Sequence, residues 1–172
     1  MEKLDLIQRL YESVGLRPHD VRSDPTIARI EIHHNRVLDT HLVPGLAVEA
    51  DETDDGIDAR IRVARGTVIE KPVQVCFGMV DESGLQRIVL DIEVEPEARA
   101  GLLAYCTFPE AREIRHEMEA VIKVAEGAEY AYRERHVHGP EGGVVVVPKT
   151  RVEIQEGGRY ATDFELIRGR VG

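Results

Sequence analysis

Apolar positions near the start of the chain recur at three- and four-residue spacing. Leu4, Ile7, Leu10, Tyr11 and Val14 form one stripe, which predicts an amphipathic helix. Gly15 follows as a stop and Pro18 confirms it. The stripe is expected to pack on its own domain. After about residue 26 the pattern changes from helical to alternating. "TIARIEIHHNRVL" offers Ile27, Ile30, Ile32, Val37 and Leu38 as buried positions, and "VPGLAVEA" reads as a turn into another short strand.

From residue 60 the alternation repeats. "RIRVARGTV", "DIEVEPEARA", "VIKVAEGAEY" and "RVEIQEGGRY" align Ile61, Ile92, Ile122 and Val152 at spacings of 31, 30 and 30. Val63, Val94, Val124 and Ile154 follow at the same spacings, and Gly66, Ala98, Gly127 and Gly157 supply a small residue at each corner. Within each strand the residue between the two apolar positions is charged: Arg62, Glu93, Lys123 and Glu153. One face is therefore inside. A constant period of about 30 residues built from strands predicts a solenoid. The fold expected is mainly β: a right-handed parallel β-helix over 26–172, preceded by a short helical segment over 1–25. Ile92, Ile122 and Val152 should lie in line, about 5 Å apart at each step. A sandwich or a cupin barrel predicts no such register, and helical solenoids do not fit β-branched, alternating strands.

The register stacks chemistry as well as core. Steps of 30 run from Cys76 to Cys106, His136 and Leu166, and a second column holds Gly78, Phe108, His138 and Arg168. Two readings of the first column stand side by side. In one it faces inward as core, as its neighbours of like parity, Ala104, Phe108 and Phe164, suggest. In the other it presents thiolate and imidazole to a soft metal or to sulfur. Glu134, His136 and His138 share one face, and three polar groups are hard to place in a dry core. His33 and His34 are adjacent, so they face opposite ways on a strand and do not suit one ion. His116 and Glu119 in "RHEME" could line a neighbouring edge or simply be exposed. "GPEGG" at 139–143 reads as a flexible corner; a phosphate cradle would need a helix after it, and "VVVVP" follows instead.

Composition narrows the function classes. The 172 residues suit one domain, and 42% apolar with 31% charged residues reads as folded. No apolar run approaches the roughly 20 residues that span a bilayer. The amphipathic, acid-bearing start lacks the features of a signal or transit peptide, so a cytoplasmic location is expected. A net charge of −10 argues against nucleic acid as a partner. The acidic run "EADETDDGID" reads as a solvated loop. Two cysteines without a CxxC exclude a zinc ribbon and a thioredoxin-type site, and a structural disulfide is not expected. No P-loop is present.

The segments "CFG", "CTFPEA", "HEMEAVIKVAEGAEY", "HVHGPEGGVVVVPKTRVEI" and "TDFELIRGRVG" resemble the SufB/SufD family of iron–sulfur cluster assembly proteins, especially its short prokaryotic members, over roughly 26–172. The resemblance implies a β-helical, non-enzymatic scaffold. It implies pairing with a second SufB/SufD-like subunit and docking to a SufC-like ABC ATPase. It also implies a transient iron–sulfur cluster, with no cofactor tightly bound. The family continues past GRVG, so the chain is expected to be incomplete, with its last coil open to association after Gly157. Cys106, Glu134, His136 and His138 are the candidate cluster or sulfur ligands. Two other readings are a cupin-like metal-dependent enzyme and a metal-free interaction module. The cupin spacing fails: Tyr130 stands where the motif's glycine belongs, and Gly142 and Gly143 stand where its acid belongs.

Overall fold

A computed structural model describes residues 2–170. Val171 and Gly172, which end the closing motif, lie outside the described residues, as does Met1. Helices α1 (Lys3–Ser13) and α2 (Pro18–Arg22) come first. The strands are β1 (Arg29–His33), β2 (Arg36–His41), β3 (Leu46–Glu52), β4 (Gly56–Val63), β5 (Val73–Gly78) and β6 (Ser83–Val94). They continue with β7 (Arg99–Phe108), β8 (Glu113–Val124), β9 (Glu129–His138), β10 (Val144–Ile154) and β11 (Arg159–Arg168). One sheet has the order β11-β9-β7-β5-β1-β2 and the other β10-β8-β6-β4-β3. The chain alternates between the two sheets, and like-placed strands pair in parallel. This is the parallel β-solenoid that the 30-residue period predicts. The pairs Ile61–Ile92, Ile92–Ile122 and Ile122–Val152 hold as drawn from the repeat.

The N-terminal end differs from the repeat. β2 pairs antiparallel with β1, and β3 antiparallel with β4. These two strands continue the sheets beyond the first coil without adding another parallel one. The acidic run at 49–58 is not a loop throughout: it spans the end of β3, the exposed turn at 53–55 and the start of β4, and the Asn35 side chain donates to the carbonyls of Thr53 and Asp54 in the turn. α1 lies on the solenoid through Ile7, Leu10 and Tyr11, all buried, whereas Leu4 is exposed. Gly15 takes a left-handed φ of 76° just past the helix end. Pro18 opens α2 at its first turn, so it begins a second helix as well as barring the first. Among the described residues no helix is long and apolar enough to cross a membrane.

The interior is a ladder of aliphatic side chains. Ile57, Ile61, Ile88, Leu90, Ile92, Ile122 and Val124 are all buried. At 25–30 cal/mol per Å² of apolar surface removed from water, this ladder is the main stabilising term. It thins at β10 and β11, where Val152 is half-buried and Ile154 and Phe164 are exposed, because no described strand covers that coil. Charges on the outer face pair across coils, as in Arg87–Glu117 and Lys149–Glu119, and such exposed pairs contribute little.

Two corners depart from expectation. The left-handed residue of the second corner is Glu97, with φ 63°, not Ala98. The N–H groups of Gly66, Glu97 and Gly127 donate to the carbonyls of Pro96, Glu126 and Glu156, so these residues occupy one stacked position. "GPEGG" forms a corner in which the backbone of one coil comes close to that of the next. Gly143 has φ 75°, and a Cβ there would lie 1.9 Å from the Arg112 carbonyl oxygen.

Candidate functional site

Alternation along three strands aims a polar set into the solenoid. β7 turns Cys106 inward, β9 turns Tyr132, Glu134, His136 and His138 inward, and β8, on the facing sheet, contributes His116 and Met118. Cys106, His116, His136 and His138 are completely buried, and Glu134 is 5% exposed. Buried polar groups need partners, and most of these have them.

Cys106 pairs with His136 on the adjacent coil, as the register of 30 predicts, and Phe108 pairs with His138. Cys76 does not join them. It pairs with Tyr105, and Phe77 takes the place below Cys106. The reason is local. The chain takes five steps from Val68 to Val73 while the next coil takes three from Arg99 to Leu102. The extra residues include Pro72, which cannot donate to a ladder. Cys76 therefore faces outward, buried against Leu10 of α1 and Tyr105, and the two thiols are free. The second column changes as well: Gly78 pairs with Thr107, and Arg168 with Val137. Leu166 does pair with His136.

A chain of hydrogen bonds runs along β9. The Glu134 carboxylate lies 2.5 Å from His136 Nε2 and accepts from the Tyr132 hydroxyl at 2.7 Å. His136 Nδ1 meets His138 Nε2 at 3.1 Å, and His138 Nδ1 meets the Arg170 carbonyl oxygen at 2.8 Å. The carbonyl can only accept, so His138 carries its proton on Nδ1 and, when neutral, accepts at Nε2. His136 must then donate from Nδ1. One further proton is shared at the Glu134–His136 contact. Burial alone would raise the Glu134 carboxyl, but the hydrogen bond and charge of His136 and the Tyr132 hydroxyl outweigh it and hold the group low. Burial depresses His138, which stays neutral.

Cys106 and His116 stand beside this chain. The Cys106 thiol lies 3.7 Å from Glu134 Oε1, and burial together with that carboxylate pushes it well above an ordinary thiol. Among the described residues neither ring nitrogen of His116 has a hydrogen-bond partner. Its ring centroid lies 5.0 Å from that of Phe108 and 5.9 Å from that of His136. Burial drives its pKa down to about 3, so it is a neutral imidazole. Ligand atoms of Cys106, His116 and Glu134 all lie within 4.8 Å of one another. Thiolate, imidazole and carboxylate together suit borderline divalent metals and iron. Phe164, half exposed on β11, packs against His136 with the rings tilted and their centroids 4.7 Å apart.

Over 144 residues the chain is 36% identical to an iron–sulfur cluster assembly SufBD family protein of Methanocaldococcus jannaschii, a match covering 84% of this chain and 46% of that protein. The chain belongs to the SufBD family. A SufBD family protein of Pyrococcus horikoshii is 29% identical over 144 residues, with 84% of this chain and 44% of that protein covered. This SufBD chain spans less than half the length of the curated relatives it matches. No family model matches it.

The sequence candidates Cys106, Glu134, His136 and His138 of this SufBD chain come together in one cluster. His33 and His34 do not join it: His33 accepts from the Val80 N–H, while His34 reaches the Leu85 carbonyl. His116 and Tyr132 were missed as members. The signal for His116 was parity. It stands an even number of residues before Ile122, on the inward side of the repeat, while Glu119 is exposed. Its charged neighbours Arg115 and Glu117 disguised it as a surface residue.

Proposed function

We propose that this chain is a non-enzymatic scaffold on which iron and sulfide are brought together as a nascent iron–sulfur cluster. In this reading it works with a SufC-like ABC ATPase and a second SufB/SufD-like subunit in the cytoplasm. The cluster is cargo, held transiently and passed on. The observation that carries the reading is Cys106 stacked against His136 on the next coil, with the Glu134 carboxylate 3.7 Å from the thiol. These are donors of the kinds that iron–sulfur chemistry uses, and they sit in a β-solenoid whose curated relatives are named for cluster assembly. The ATPase and the second subunit rest on the family resemblance.

Anaerobic reconstitution with ferrous iron and sulfide tests the proposal. A visible iron–sulfur absorption band is expected in the wild type and should be mostly lost in Cys106→Ser. Substitution of His33 should change nothing. One divalent ion and no band would instead favour a mononuclear metal enzyme. Failure to take up either iron or sulfide would favour a plain interaction module.

A further inference from the structure

The hydrogen bonds of β9 divide the cluster into two kinds of residue. Both ring nitrogens of His136 are occupied, one by Glu134 and one by His138. Both nitrogens of His138 are occupied as well, by His136 and by the Arg170 carbonyl. An imidazole engaged at both nitrogens has no lone pair free for a metal unless a hydrogen bond breaks. His116 is the opposite case. It is completely buried, and neither nitrogen is satisfied. A buried polar group left without a partner costs roughly 1–3 kcal/mol, so an unoccupied His116 is a standing penalty that a bound ion would remove. Cys106, across the interior from it, makes a weak hydrogen bond to Glu134 at 3.7 Å.

We infer that Cys106, His116 and Glu134 form a three-donor site for a single borderline divalent cation of the first transition row, such as ferrous iron or zinc, with His136 and Tyr132 as positioning residues for the Glu134 carboxylate. The site joins the two sheets: Cys106 and Glu134 come from one and His116 from the other. This geometry sets it apart from the column of Cys106 and His136 along a single sheet. Metal–ligand bonds of about 2.0–2.3 Å place tetrahedral donors roughly 3.3–3.8 Å apart. Donor atoms now within 4.8 Å of one another must close by about an ångström to meet that spacing. On binding, the metal replaces the proton on the Cys106 sulfur, and that proton passes to the buffer. Three protein donors leave a fourth position open, the arrangement that allows a metal to accept another ligand. Sulfide is one such ligand, so the inference builds on the assembly reading, although its test needs neither sulfide nor a second protein.

The test is anaerobic titration of the metal-free full chain with Co²⁺, followed by absorption. One equivalent should bind, with a thiolate-to-cobalt charge-transfer band and the visible bands of a tetrahedral ion. Cys106→Ala should abolish the charge-transfer band. His116→Ala should weaken binding by more than about a hundredfold, beyond the 10–100-fold usual for loss of an orienting partner. His136→Ala should fall within that smaller range and keep the charge-transfer band. Where His116→Ala does not fold, His116→Leu, which fills the same space, carries the test. Wild-type affinity in His116→Leu, loss of the band in His136→Ala, or no cobalt binding by the wild type would each overturn the inference. Cobalt binding without cluster formation from iron and sulfide would sink the assembly proposal alone. Cluster formation from iron and sulfide by a wild type that binds no cobalt would sink this one alone.

Discussion

Truncating Leu10 should separate the behaviour of the two thiols. Leu10 is 1% exposed and closes over Cys76 and Tyr105 on the outer face of the solenoid. Its Cδ2 sits where a side chain at Gly78 would stand, only 2.3 Å from an added Cβ. α1 is otherwise tied down by the Tyr11 hydroxyl donating to Glu31 at 2.9 Å, by a hydroxyl–hydroxyl hydrogen bond between Ser13 and Thr107, and by Arg9 donating to Glu110 at 2.8 Å. Removing a buried leucine down to alanine costs about 2–5 kcal/mol. If that loss falls on the docking of α1, the lower bound alone raises the undocked population roughly thirtyfold, at 1.4 kcal/mol for each factor of ten. Cys76 is held up to about 12 by burial and by Glu31, so it is inert while the helix is docked and reacts as an ordinary thiol once α1 lifts. Iodoacetamide labelling at pH 8, read peptide by peptide by mass spectrometry, measures the two thiols in one experiment. Leu10→Ala should accelerate Cys76 by at least about thirtyfold and leave Cys106, inside the solenoid, nearly unchanged. Equal acceleration of both would show that α1 and the coils open as one unit. No acceleration of Cys76 would show that Leu10 does not guard it.

Alkaline stability should also report Cys76. Between pH 9 and about 12 the unfolded chain loses this thiol proton and the folded chain keeps it, so stability falls as pH rises, by about 1.4 kcal/mol per unit. Urea melts at pH 8 and pH 10 should show a loss of roughly 1.4 kcal/mol from this group in the wild type and none from it in Cys76→Ala; equal losses in the two proteins would refute the assignment. The corners give a matched pair. Glu97→Gly should raise the thermal midpoint, by roughly 0.5–1 kcal/mol of stability, because it relieves a left-handed non-glycine residue. Gly143→Ala should lower it by more than that, because its Cβ meets the Arg112 carbonyl. Thermal melts of the two variants check both signs.

The solenoid was legible in the chain because its cause is local and periodic. Alternation turns Ile61, Ile92, Ile122 and Val152 to one side of their strands, and recurrence every 30 residues or so leaves parallel stacking as the arrangement in which each covers the next. The pairing of Cys106 with His136 follows from the same count. Counting fails where the coil length changes without a marker in the pattern. At β5 the pairing offset is 29 and not 30, so Cys76 lies one residue out of the counted column and faces outward, since a one-residue slip in a strand exchanges its faces. The corner at Glu97 involves no slip: the 31-residue step from Ile61 to Ile92 carries Gly66 to Glu97, and Ala98 lies one residue beyond it. The polar cluster was half legible. Glu134, His136 and His138 stand close together on one strand, so spacing alone groups them. His116 reaches the cluster from the facing sheet, and distances across an interior depend on how two sheets pack, which no periodicity along one strand records. The hydrogen bonds that occupy His136 and His138 while leaving His116 unpartnered are likewise decided by tertiary geometry, because the orientation of each ring is set by neighbours distant in sequence.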